Sequence, residues 1–411
     1  MTIAAHTLGC KLNFAETSDT LRRLEAEGNT IVDWGRPADL YLINTCTVTA
    51  VAEKKCRAAI RQAHRLNPDA QIVVMGCFAQ VAADEIARMP GVTQVLGNDS
   101  KRLLSYSAEN PSAGSSARTR TFFKIQDGCD YFCTYCAIPY ARGRSRSATV
   151  EETLCVARRI AAGGAREVVL TGVNTGTFGQ QHGESLLDLL RGLDSIDGIL
   201  RYRISSIEPN LLTDDIIDFV ARSRAFLPHF HIPLQAGSDH VLRLMHRRYD
   251  TALYRDKLLR IKAAMPDACI AADIMAGFNG ESEEEFRKVM DYVDSLPISY
   301  LHVFTYSDRP GTAALRLGEK VPVPVRREHT ARLLELSERK HRAFVDSQIG
   351  KTRPVLWEGW KVLPTTHYPL PTEMYGWTDN YIRVSRPYDP SCVNRVESVT
   401  LSPAIIVRES L

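Results

Sequence analysis

No apolar run in these 411 residues approaches the roughly 20 that a helix needs to cross a bilayer, so no membrane span is expected. The opening residues Met1-Thr2-Ile3-Ala4-Ala5-His6 lack a basic stretch and a cleavage site. No secretory signal is therefore expected, and a cytoplasmic location is. Neither sign of charge dominates: 51 Lys and Arg face 48 Asp and Glu, a formal +3 that permits a nucleic-acid partner without requiring one. A zinc pattern is missing too. Structural zinc takes four ligands, usually as two close Cys or Cys/His pairs. The one dense cysteine loop has no second pair nearby, and His182 and His229 are candidate fourth ligands with no motif around them. What is present is ordinary for a globular protein, 44% hydrophobic and 24% charged, with length for two or three domains. In a reducing compartment its ten cysteines point to metal or catalytic use.

Three of them, Cys129, Cys133 and Cys136, lie in Asp127-Gly128-Cys129-Asp130-Tyr131-Phe132-Cys133-Thr134-Tyr135-Cys136, directly after a short apolar run. Close thiolates in a turn-rich loop hold iron–sulfur clusters. A four-iron cluster on three thiolates keeps one iron open for a small ligand. Zinc or inert structural thiols are the plainer alternatives.

Residues 1–105 alternate strand patterns (3–8, 40–44, 72–75) with helix patterns (16–27, 51–66, 78–88), which predicts a small parallel α/β sheet. Cys10, Cys46 and Cys77 each follow one of those strands. In a parallel sheet such turns share the carboxyl edge, where ligands bind, so a second three-thiolate site is expected. Cys56, inside a helix pattern, is assigned no role. Residues 106–119, rich in Ser, Ala, Gly, Asn and Pro, read as a linker. From 120 to 346 six further strand–helix units follow, with strands at 122–125, 167–170, 201–204, 229–232, 270–274 and 300–304. That number suits a partial (β/α)6 barrel. The strands end in polar or glycine-rich turns carrying Gly172, Asn174, Ser206 and Gln235. Residues 347–411 read as five short strands, a small antiparallel β-barrel. Exposed Trp, Tyr and Arg side chains on it would suit stacking on unpaired RNA bases, although Trp357, Trp360 and Trp377 are each expected in its core instead. The chain is thus of the α/β class, with domains at 1–105, 120–346 and 347–411.

Taken together, Leu8-Gly9-Cys10-Lys11-Leu12-Asn13, Asn44-Thr45-Cys46, Gly76-Cys77-Phe78-Ala79-Gln80 and the Cys129/Cys133/Cys136 loop resemble the radical S-adenosylmethionine (SAM) methylthiotransferases over essentially the whole chain. Lys124 to Cys136, Tyr140 to Ser147 and Gly376 to Ile382 look most like the branch acting on N6-threonylcarbamoyladenosine in tRNA; Asn279 replaces an expected proline. The resemblance implies that the terminal β-barrel is TRAM-like and that the chain holds two [4Fe-4S] clusters. One, on Cys129, Cys133 and Cys136, would bind and reductively cleave SAM; the other, on Cys10, Cys46 and Cys77, would carry the sulfur. Tyr135, Gly172, Asn174, Ser206 and Gln235 would line the SAM pocket. The implied partners are a tRNA anticodon loop, an electron donor of the flavodoxin or ferredoxin type, and a sulfur source. Arg142, Arg144 and Arg146 are positioned to meet RNA phosphates; Arg243, Arg247 and Arg248 read as a solvated helix end. Sister branches act on isopentenyladenosine in tRNA or on a ribosomal-protein aspartate. A rival of another class is an RNA-binding protein with structural clusters.

Overall fold

The computed structural model describes residues 1–98, 119–359 and 372–408. The expected linker, Thr119 apart, lies outside the described residues, as does Trp360. Strands β1 (Thr2–Thr7), β2 (Thr30–Val32), β3 (Leu40–Thr45), β4 (Gln71–Gly76) and β5 (Val92–Leu96) form a parallel sheet of order β2-β1-β3-β4-β5. β3 is buried along its whole length because helices cover both faces, as parallel sheets require. Leu21 and Leu24 of the helix Lys11–Ala26 pack on one face. Cys56, Ala59, Ile60 and Ala63 of the helix Ala50–Leu66 pack on the other. The connection changes sides between β1 and β3, and a ligand crevice opens at the carboxyl end of such a switch.

The sheet has two strands that the sequence pattern does not announce. β2 has three residues, and β5 alternates too weakly to stand out. The first helix starts at Lys11, five residues earlier than the pattern suggests, with Cys10 as its N-cap residue. The helix expected over 78–88 is two short ones, Cys77–Val81 and Ala83–Ala87.

The second unit contains β6 (Arg120–Lys124), the two-residue ribbon β7 (Gln126–Asp127) with β8 (Arg146–Ser147), then β9 (Glu167–Thr171), β10 (Arg201–Ile204), β11 (His229–His231), β12 (Cys269–Ala276) and β13 (Tyr300–Thr305). Parallel pairing gives two arcs, β6-β9-β10 and β11-β12-β13, linked by a bridge between Tyr202 and Phe226. The result is the expected six-stranded open barrel. The helix Lys11–Ala26 lies against β6, at the open edge.

The last strands, β14 (Thr352–Trp357), β15 (Glu373–Thr378), β16 (Arg383–Pro387) and β17 (Val396–Thr400), make an antiparallel sheet of order β16-β15-β14-β17. The strand expected at 404–408 contributes a single bridge, Ile406 to Val384. Trp357 is core, as its size favours. Trp377 and Tyr381 instead face the floor of the barrel. Arg201 and Arg203 donate to the carbonyl oxygens of Trp377, Thr378 and Asp379 at 2.8–3.1 Å. Glu167 pairs with both guanidiniums at 2.9 and 2.8 Å. The Tyr381 ring packs 4.4 Å from His229 and 4.5 Å from Trp377. Arg120, Glu167, Arg201 and His229 each begin a strand, so Gly376 to Ile382 closes the amino-terminal mouth. Trp377 and Tyr381 are committed to this plug, so for Trp377 the packed reading holds and neither ring is free to stack on RNA.

Candidate active site

Cys46 and Cys77 directly follow β3 and β4, and Cys10 stands three residues beyond β1, so all three reach the switch point of the first sheet. Two glycines make the approach possible. A Cβ on Gly9 would lie 3.0 Å from the Cys46 Cβ and 2.8 Å from the Asn13 amide. On Gly76, at φ +107°, it would lie 2.4 Å from the Thr45 carbonyl oxygen. Gly76→Ala is therefore expected to cost about 1–3 kcal/mol in backbone strain and to lower the iron retained by the purified protein. An unchanged melting midpoint with unchanged iron content would contradict this.

Asn13 fastens the crevice by donating to Leu8 and Thr45 oxygens at 2.8 and 3.1 Å. Cys46 and Cys77 are buried, whereas Cys10 is open to the cleft. Burial pushes the Cys46 thiol up to about 12, so it stays protonated until a cationic centre displaces the proton. Cys56 Sγ accepts from the backbone N–H of Cys46 at 3.4 Å; its place is beneath the trio, in the core.

The second trio occupies the loop between β7 and the helix Ile138–Arg142. Gly128 at φ +71° starts it, and an added Cβ there would sit 1.9 Å from the Arg144 carbonyl oxygen. Cys133 is 7% exposed; Cys129 and Cys136 are partly open. Burial raises Cys129 to about 11 and Cys136 to about 12. Tyr135 and Cys136 line a cleft of about 210 Å³ together with Gln235, Asp273, Met275 and Phe304, and with Val48 and Thr49 from the first domain. Gln235 lies at φ +64°, a conformation rare for a side chain of its kind. The Gly172–Asn174 turn stands apart from this cleft, pinned by Gln126, whose Oε1 accepts the Val173 and Asn174 N–H groups at 2.9 Å each. Ser206 adjoins it, its carbonyl oxygen accepting from Thr175. Of the five expected SAM contacts, Tyr135 and Gln235 thus share the cleft with Cys136, and the other three form a neighbouring corner. Asn279, in place of the expected proline, donates to the Ala314 carbonyl oxygen at 2.7 Å.

A buried ion network joins the two trios. Arg142 Nε donates to Cys77 Sγ at 3.2 Å; its terminal nitrogens donate to Asn13 at 2.6 Å, and to Glu16 and Asp127 at 3.0 Å each. Lys124 reaches Glu16 and Asp127 at 3.2 and 3.3 Å. Burial alone would raise the Asp127 carboxyl, but Arg142 and Lys124 hold it below the usual carboxylate range. Asp127 Oδ1 in turn accepts the Gly128 N–H at 2.8 Å. The phosphate role expected of Arg142 is corrected: at 1% exposure it is an internal clamp. Arg146 is half-buried on Asp127 at 3.2 Å. Arg144, 76% exposed, is the one of the three that faces outward, stacked over Phe132 at 4.9 Å.

The reading of Arg247 as solvated is also corrected. His246, at φ +56°, turns the chain back after the helix Asp239–Leu244. Arg247 then donates to Cys133 Sγ at 3.1 Å, Tyr249 Oη at 3.1 Å and Tyr135 Oη at 3.4 Å, and pairs with Glu208. Local spacing does not signal this, because every partner but Tyr249 is distant in sequence. Arg248, by contrast, stacks on Tyr131 at 4.0 Å.

The donor sets fit iron–sulfur clusters better than zinc. Each is three soft thiols, and neither histidine weighed as a fourth ligand is near: His182 is bonded to the Ser147 carbonyl oxygen, and His229 packs on Tyr381. An open parallel barrel bearing such a loop defines a radical SAM protein, and the model for the "Radical SAM superfamily" matches residues 123–293. The model described as "Uncharacterized protein family UPF0004" matches residues 2–97. The chain is 38% identical to the threonylcarbamoyladenosine tRNA methylthiotransferase MtaB of Bacillus subtilis, covering 93% of this chain and 90% of that one. It is 34% identical to the Aquifex aeolicus protein of the same name, over 93% and 100%. The tRNA-2-methylthio-N(6)-dimethylallyladenosine synthase of Nitratidesulfovibrio vulgaris (strain Hildenborough) is 33% identical over 87% and 86%. Among solved structures, the radical SAM methyltransferase TsrM of Kitasatospora setae shares the fold, with TM-score 0.53 and 15% identity over 74% of this chain and 72% of that one. The chain belongs to the MtaB-type radical SAM methylthiotransferases.

Proposed function

We propose that this protein attaches a methylthio group to carbon 2 of N6-threonylcarbamoyladenosine in the anticodon loop of tRNA. Cys129, Cys133 and Cys136 would hold one [4Fe-4S] cluster and Cys10, Cys46 and Cys77 the other, with SAM as co-substrate beside Tyr135 and Gln235. The observation that carries the reading is the clamp: one guanidinium touches a thiol of the first trio and the carboxylate that braces the loop of the second. That shared contact supports two centres facing one cleft. When bound, the clusters and SAM supply radical chemistry, which an aromatic C–H without an acidic proton demands.

The chain's own groups prepare the ground. Burial raises the Cys133 thiol and the Arg247 guanidinium offsets part of that rise, while Arg142 donates a hydrogen bond to Cys77 Sγ. Met275, Phe304 and Tyr306 give the cleft an apolar wall that limits water. At the rim, Phe132, Tyr140 and Arg144 form an exposed aromatic and cationic patch, suited to stacking an unpaired base. A flavodoxin- or ferredoxin-type donor and a sulfur source complete the reaction, in the cytoplasm. No described helix is long and apolar enough to cross a membrane. The domain limits that serve this reading are 1–105, 120–346 and 347–411.

Mass spectrometry of tRNA nucleosides tests it. A strain lacking the gene should contain threonylcarbamoyladenosine without its methylthio group, restored by a plasmid copy. An undiminished methylthio form would overturn the assignment; loss of the methylthio group from the isopentenyl nucleoside would move it to the sister branch.

A further inference from the structure

Three neighbouring strands turn His231 (β11), Asp273 (β12) and His302 (β13) toward one another in the barrel lumen, with one polar atom from each within 4.8 Å of the others. His231 Nε2 and Asp273 Oδ1 are 2.8 Å apart. The ring of His302 stands 5.2 Å from that of His231 and is open to the lumen. Its side chain makes no hydrogen bond among the described residues. Burial holds its imidazole down to about 4, so it is neutral, with one N–H to donate and one nitrogen to accept. Lys11, next to Cys10, carries a charge that acts on both His302 and Asp273. Among the described residues it makes no ion pair. Asp273 also lines the cleft beside Tyr135, Cys136 and Gln235, so the group sits between the two thiol loops.

Two imidazoles and a carboxylate are a familiar metal-ligand set, but two features oppose a cation here. Asp273 is committed to His231, and the Lys11 ammonium repels positive charge. An ammonium without an ion pair among the described residues, acting on a neutral imidazole with an N–H to donate, favours an anion that accepts hydrogen bonds.

We propose that Lys11 and His302 form a subsite for the free carboxylate of the threonyl group on the target base, with Asp273 fixing His231 behind them. The proposal rests on the substrate read above. The threonylcarbamoyl substituent ends in a carboxylate and a hydroxyl; a dimethylallyl substituent ends in methyl groups. A site built of polar donors rejects the second, because its own groups are left unpaired.

The test is binding of a synthetic anticodon stem-loop to the anaerobic holoenzyme. The loop carries threonylcarbamoyladenosine as the free acid or as its methyl ester. The wild type should bind the acid about tenfold more tightly, as expected for a hydrogen bond to a charged group. His302→Leu and Lys11→Met should bring the ratio close to one, while His302→Gln, which keeps a donor, retains most of it. A ratio of one in the wild type, or an unchanged ratio in both disabling variants, overturns the subsite. So does a cobalt(II) absorption band that His302→Leu abolishes, since that outcome marks a metal site. Binding needs no turnover, so the two readings fail separately. Preference for an acid that is never methylthiolated refutes the substrate reading alone; methylthiolation without preference refutes the subsite alone.

Discussion

Arg142→Leu is expected to lower the stability of the protein by about 3–5 kcal/mol, the usual consequence of removing one partner from a buried charge cluster. The reason is the company it leaves behind. Glu16 and Asp127 are almost wholly buried, and among the described residues Lys124 would remain on both carboxylates and Arg146 on Asp127. Asn13 and Cys77 would each lose a donor as well. Since Glu16 belongs to the first domain and Asp127 to the barrel, the damage falls on their junction. The melting midpoint should drop by roughly 10 °C for a unit of this size. Arg144→Leu, two residues away and exposed, should stay within about 0.5 kcal/mol of the wild type. If the two variants melt alike, the clamp is not what joins the domains.

Cys133→Ser is the second large effect. It should end the release of 5′-deoxyadenosine from SAM under anaerobic reduction. A serine hydroxyl is a hard oxygen donor with a far higher pKa than a thiol, and cluster iron is held by thiolates. Cys133 is also the thiol that Arg247 contacts, at 3.1 Å, so the variant leaves that guanidinium facing a neutral group. Iron content should fall from about eight to about four per chain, one cluster's share. Cys155→Ser, on the exposed side of the helix Val150–Ala162, should keep both iron and cleavage. Continued release by Cys133→Ser would refute the assignment of this loop to SAM.

Much of this molecule can be read from residue order alone. The cysteine loop declares itself because its three thiols lie within eight residues. The convergence of Cys10, Cys46 and Cys77 follows from topology, since every strand-to-helix turn of a parallel sheet lies on one edge. What could not be read is contact across long separations. Arg142 finds Glu16 from 126 positions away, and Arg247 finds Cys133 from 114. Each sits in a basic run that looks solvated, and no periodicity distinguishes the arginine that turns inward. His231, Asp273 and His302 escaped notice for the same reason, as they meet only through strand pairing. The segment from Gly376 to Ile382 shows the opposite hazard. Its aromatic residues invite a role in RNA stacking, and tertiary packing spends them on the barrel floor.

That floor has a mechanical corollary. With Tyr381 seated among His229, Trp377 and Arg203, and with two arginines bonded to the backbone beside it, the terminal sheet is tied to the barrel floor at several points. RNA gripped on its outer surface would then be held at one standoff from the thiol loops at the far mouth. On the proposed function, the terminal domain would work as a ruler for the distance between grip and chemistry.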